Sequence, residues 1–164
     1  MRDGAAGQAF RDGLRALERG APAAAAARFR LALNLERQGC LQRRQLEYLS
    51  WFSLSTAMAH GVTSECIRAC ETAARRNLLD PDMQLNLGRV YLLAGRPTDA
   101  LAAFECGLRL SPGHASLRAA RDGAERRGPP VIRGLPRAHP LNWILGQLRH
   151  ALRRGSSRAL SSNP

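Results

Sequence analysis

Lysine is absent from the 164-residue chain, and valine, isoleucine and threonine together number only 10. These β-branched residues are the ones that fill strands, so a sheet has little to be built from. Aromatic residues make up 5% of the chain, and the cysteines (Cys40, Cys66, Cys70, Cys106) number 4 with no Cys-x-x-Cys pair among them. That is too few for a disulfide scaffold, so reduced thiols are expected. No run approaches about 18 apolar residues, the length a membrane-spanning helix needs, and no apolar stretch follows Met1-Arg2-Asp3-Gly4 to act as a secretion signal. A cytoplasmic location is the resulting expectation.

Arginine and the helix formers are abundant instead. Alanine (27) and leucine (25) make up about a third of the chain, which favours an all-α protein. Leu, Ile, Val and Phe together are only about a fifth of it, near the lower limit for burying a core, so part of the chain is expected to stay unpacked. The 25 basic side chains are all arginine and face 13 acids, for a formal net charge of +12. Arginine to the exclusion of lysine, with so much alanine and glycine, points to a GC-rich bacterial source. The charge is uneven: residues 1–114 carry 15 Arg and 11 acids, residues 115–164 carry 10 Arg and 2 acids, and no acid follows Gly128. A tail of this kind suits contact with RNA or an anionic membrane, or serves as a solvated, solubilising end.

Sliding the sequence along itself until Leu54 meets Gly88 also pairs Gly61 with Gly95, Cys66 with Ala100, Cys70 with Phe104 and Ala73 with Gly107. The period, about 34 residues, is that of a stacked helix-turn-helix. Within residues 81–114 the order is Leu87-Gly88-x-x-Tyr91, Gly95, Ala100-x-x-x-Phe104 and Pro112. Gly88 and Ala100 let two antiparallel helices approach, Tyr91 and Phe104 fill the space between them, and Pro112 ends the second. The same order recurs at residues 6–39 as Gly13, Ala16, Gly20, Ala25, Phe29 and Ala32. The middle unit, residues 47–80, keeps Gly61, an N-cap at Thr63 and the small Cys66, but has Leu54 and Cys70 in place of glycine and aromatic. The step from Gly20 to Gly61 exceeds the period by seven, so an insertion enters near Gln38–Leu46. With no Gly or Pro between Leu41 and His60, it is expected to lengthen the first helix of that unit.

These motifs resemble the tetratricopeptide repeat, with Gln84 where the leading aromatic usually stands. The resemblance implies an α-solenoid of three helix-turn-helix repeats over residues 6–127, closed by a capping helix at 114–127. Beyond it, residues 128–140 hold four prolines and read as an extended linker. Leu141, Leu145, Leu148 and Leu152 then place an apolar stripe on a basic amphipathic helix over 141–154, and 155–164 reads as disordered. The stretch from Pro129 to Arg149 is similar to the ends of small bacterial tetratricopeptide proteins, a likeness that implies architecture and no activity.

Tetratricopeptide proteins hold partner segments in a concave groove lined by their first helices. The resemblance therefore implies a groove formed by Phe10, Trp51 and Leu85, with Leu14, Ser55 and Arg89 one turn on and Tyr48 beside it. Members that clamp a C-terminal carboxylate carry Lys, Asn and Arg at these places; only Arg89 fits here, so an apolar or amphipathic protein segment is the implied ligand. The other reading of the same side chains is packing between helices. In the tail, Trp143, Ile144, Arg149, Arg153 and Arg154 are the candidate contacts, either with the chain's own groove or with RNA or an anionic membrane. Cys66 and Cys70, one turn apart with His60 upstream, have metal-ligand chemistry but stand at packing positions, so core is the expectation and neither metal nor cofactor is implied. No nucleophile stands with a base, and Gly4-x-x-Gly7 is too little for a phosphate loop, so catalysis is not expected. The expected function is a protein-binding adaptor, and the alternative is a polyanion-binding accessory protein acting through the Arg-rich tail.

Overall fold

The computed structural model describes residues 4–36 and 42–126, and among these it contains seven helices and no strand. In chain order they are α1 (Ala5–Glu18), α2 (Pro22–Glu36), α3 (Gln42–His60), α4 (Ser64–Arg76), α5 (Pro81–Leu93), α6 (Pro97–Leu110) and α7 (Ala115–Arg126). The protein is all-α, and these helices belong to one unit that closes at Arg126. The linker, tail helix and disordered end expected at 128–164 lie outside the described residues.

Local chemistry sets the boundaries. Gly20, Gly61 and Gly95 have φ of 70°, 92° and 72°, a left-handed conformation that only glycine adopts without strain. At two of them the turn is the same: Ala21 N–H donates to the Ala16 carbonyl and Arg96 N–H to the Tyr91 carbonyl, both at 2.9 Å, which ties off the helix end in a Schellman motif. Pro22, Pro81 and Pro97 open the helices that carry them, where a missing N–H loses nothing. Thr63 Oγ1 accepts from Cys66 N–H at 3.3 Å and caps α4; Asp80 accepts from Asp82 N–H at 3.0 Å and caps α5. His114 accepts at Nδ1 from Leu117 N–H, which leaves the proton on Nε2, 3.2 Å from Asp82, and so ties the start of α7 to the start of α5.

Each helix packs on the next in sequence, and α3 also packs on α5 and α5 on α7. The closest approaches are made by glycine. A Cβ at Gly13 would stand 2.8 Å from Phe29 Cζ, and a Cβ at Gly88 would stand 2.8 Å from Phe104 Cζ. Both rings are fully buried. In the middle pair the sizes are exchanged: Leu54 occupies the glycine position of α3 and Cys70 the aromatic position of α4, both fully buried in one cluster with Met83 and Val90. The volume between the helices is filled from the other side. Gly107 repeats the device one step on, since its missing Cβ makes room for Leu117 of α7. Helix α3, with 19 residues against 14 for α1 and 13 for α5, is the longest of the described helices.

Two stability measurements test this packing. Phe104→Ala is expected to lower stability by ~3–5 kcal/mol in urea unfolding, since it empties an enclosed interhelix space. Cys70→Phe overpacks the middle pair and is expected to cost about 1–3 kcal/mol or more. Combined with Leu54→Gly, its effect should fall short of the sum of the two single changes by ~1 kcal/mol or more, the signature of two residues sharing one space. Strict additivity would show that Leu54 and Cys70 do not compensate one another.

Candidate functional site

The structure brings three of the seven expected groove residues into one aromatic chain. Phe10 of α1 lies 4.8 Å from the Tyr48 ring of α3 and 5.4 Å from Phe29 of α2, which is 6.0 Å from Trp51. Tyr48, Ser55 and Leu85, however, are buried and pack inside the bundle rather than lining an open groove. The cause is the number of neighbours around their helices: α3 is enclosed by α2, α4 and α5, and Leu85 sits with Phe104 and Leu117 where α7 folds over α5. Phe10, Leu14, Trp51 and Arg89 keep partial exposure. Trp51 also packs against the central core, so it supports the fold. Burial lowers the pKa of Arg89 from its ordinary value, opposed by the charge of Asp82; the guanidinium is still a cation at neutral pH. The tail residues Trp143, Ile144, Arg149, Arg153 and Arg154 lie outside the described residues.

A few polar groups lie inside the bundle. Asn86 Nδ2 donates to Ser50 Oγ at 3.2 Å across the α3–α5 contact, while Ser55 Oγ and Asn86 Oδ1 are buried without a hydrogen-bond partner. Cys66 and Cys70 are core residues. Burial, with the neighbouring Cys66 adding to it, pushes the Cys70 thiol up to about 12, so at neutral pH it carries no nucleophilic thiolate. Burial likewise raises Tyr91 to about 12, helped by the 2.7 Å hydrogen bond its hydroxyl donates to Glu71. Among the described residues no group of three or more His, Cys, Asp or Glu could hold a metal ion.

What is open to solvent is a cavity of about 410 Å³ where α2, α3 and α4 meet. Leu33, Leu46, Leu49 and Phe52 give it apolar walls, Asn34 and Gln45 add amides, and Arg30 and Arg76 bring two guanidinium groups. Gln45 is held by the bond its side chain donates to the Glu36 carbonyl at 3.1 Å, which joins the end of α2 to the start of α3. Periodicity pointed to Trp51 and passed over its neighbour Phe52. The signal was present: the extra residues before Leu46 lengthen α3 at the end where this cavity lies.

No known family's sequence model matches the chain, and no curated protein does. Function is therefore read from the surfaces. Their chemistry is apolar and cationic, in a volume within the ~300–1,000 Å³ range common for binding pockets.

Thiol chemistry checks the assignment of the cysteines. Cys70 is expected to resist iodoacetamide at pH 8 in the folded protein and to react once urea unfolds it, with half-exposed Cys106 reacting well before it. Peptide mapping of the alkylated protein reads the order; rapid labelling of Cys70 in the native state would show that α4 is not packed as described.

Proposed function

We propose that the protein is a non-enzymatic adaptor, built as a tetratricopeptide-like solenoid, that holds an apolar or amphipathic segment of another protein. Three helix pairs whose facing positions keep one constant sequence spacing (Gly13 to Phe29, Leu54 to Cys70, Gly88 to Phe104) support the repeat. The packing of α3 on α5 and of α5 on α7 supports the stacking. The observation that carries the function is the open cavity, apolar inside and flanked by charge, between α2, α3 and α4. The half-exposed Phe10, Leu14, Trp51 and Arg89 give a second, shallower surface on the first helices. The alternative, contact of the Arg-rich tail with RNA or an anionic membrane, rests on charge distribution alone, as does docking of residues 141–154 in cis on their apolar stripe. A phosphate-driven complex would weaken steeply with salt, whereas apolar binding would barely change.

A photo-crosslinking amino acid placed at Phe52, and in a separate protein at Phe10, tests the reading in the native host. Crosslinking to a defined protein from position 52, from position 10 or from both is the expected result. Silence at both positions, with the protein folded, would overturn the adaptor. Trp51→Ala is expected to lower the melting temperature as well as partner binding, because the indole packs on Phe29 and the central core. An unchanged melting temperature would return Trp51 to the surface.

A further inference from the structure

The cavity between α2, α3 and α4 reads charge as well as shape. We propose that its occupant is an acidic amphipathic helix of a partner protein, whose leucine- or phenylalanine-type side chains enter the cavity while carboxylates one turn away pair with Arg30 and Arg76. The inference rests on the adaptor reading and specifies its ligand.

Three observations point to that chemistry. First, the walls include four apolar side chains and two arginines but no acid, and neither arginine has an ion-pair partner among the described residues. Guanidinium groups match carboxylates with two parallel hydrogen bonds, so an unpaired pair beside an apolar surface favours a ligand with both characters. Second, Arg30 and Asn34 stand one turn apart on α2, and Gln45 and Leu49 one turn apart on α3, a spacing that suits side chains arriving at helical intervals. Third, apolar surface continues along the chain past Arg76: after Asn77 come Leu78 and Leu79, 63% and 79% exposed on the α4–α5 turn. In the proposed complex the partner helix extends past the cavity to cover them, since exposed leucines in a pair need a partner more than single ones do. Charge also selects against the obvious internal occupant. Residues 141–154 carry Arg149, Arg153 and Arg154 and no acid, so they would bring like charge to Arg30 and Arg76.

Fluorescence anisotropy on the full-length protein tests the proposal with three labelled probes. These are an amphipathic helical peptide with a Leu/Phe stripe flanked by Glu, the same peptide with Lys for every Glu, and oligo-uridine. The Glu peptide is expected to bind at least about tenfold more tightly than the Lys peptide, and Arg30→Glu with Arg76→Glu to reverse that preference. Both arginines are exposed, so circular dichroism should leave the doubly substituted protein unchanged. Leu78→Ser with Leu79→Ser should weaken the Glu peptide several-fold. Equal binding of the two peptides, or a preference untouched by the charge reversal, would overturn the proposal. So would binding of oligo-uridine alone that the same reversal abolishes, since the arginines would then form a polyanion site. Crosslinking from Phe52 to a partner whose binding ignores the charge reversal would keep the adaptor and remove only its acidic ligand.

Discussion

Two helices can lie close enough to share a ring only if one of them gives up a side chain. Phe29 and Phe104 are buried against Gly13 and Gly88, and a single Cβ at either glycine would overlap the facing ring. The Schellman turns at Gly20 and Gly95 set the two helices antiparallel at the distance this contact requires. The middle pair shows that the constraint is on volume and not on residue type. Leu54 and Cys70 fill an equivalent space with large and small exchanged, as close-packed interiors permit when total volume is kept.

The lengthened α3 then decides which surfaces are closed and which are open. Its central turns touch α2, α4 and α5, and they carry small polar residues, Ser50, Ser53 and Ser55, that let three neighbours approach. Ser55 Oγ is buried there without a hydrogen-bond partner, a state that costs about 1–3 kcal/mol for a buried hydroxyl. The first turns of the same helix stand beside the ends of α2 and α4, and there the packing is incomplete. Leu46 is buried while Leu49 and Phe52 remain half-exposed on the walls of the cavity. One long helix thus carries both the enclosed serines and a wall of the open cavity.

Much of the helical organisation was legible in the sequence because it depends on backbone chemistry that leaves a local mark. Glycine with positive φ, proline at a first turn, the Thr63 cap and the constant spacing between facing positions are all written within a few turns of chain. The site was less legible, for a physical reason. Equivalence between helix pairs places Phe10, Trp51 and Leu85 alike, but exposure depends on what lies across from each, and only Leu85 has α7 above it. A helical period tells which face a residue occupies, not how many neighbours that face meets. Tyr48 is the sharper case: an aromatic with a polar tip suits an interface, yet here its ring closes the packing between α1 and α3.

The N-terminal pair is joined to the rest differently from the others. Helices α3 and α5 pack on one another, as do α5 and α7, whereas α1 has less extensive packing on α3 and meets it where Ala6, Ala9 and Phe10 gather around Tyr48. The link between α1–α2 and the remaining helices therefore runs through the α2–α3 contact, and the cavity lies along that contact. That contact is among the most extensive in the bundle, so it holds the N-terminal pair in place although the cavity opens along it. A ligand seated on Leu33 and Asn34 of α2 and on Leu49 and Phe52 of α3 would brace it, because it binds only where both walls are in place. Under the proposed function, recognition and stability are coupled at one joint: the contact that holds the N-terminal pair is also where a partner side chain would insert.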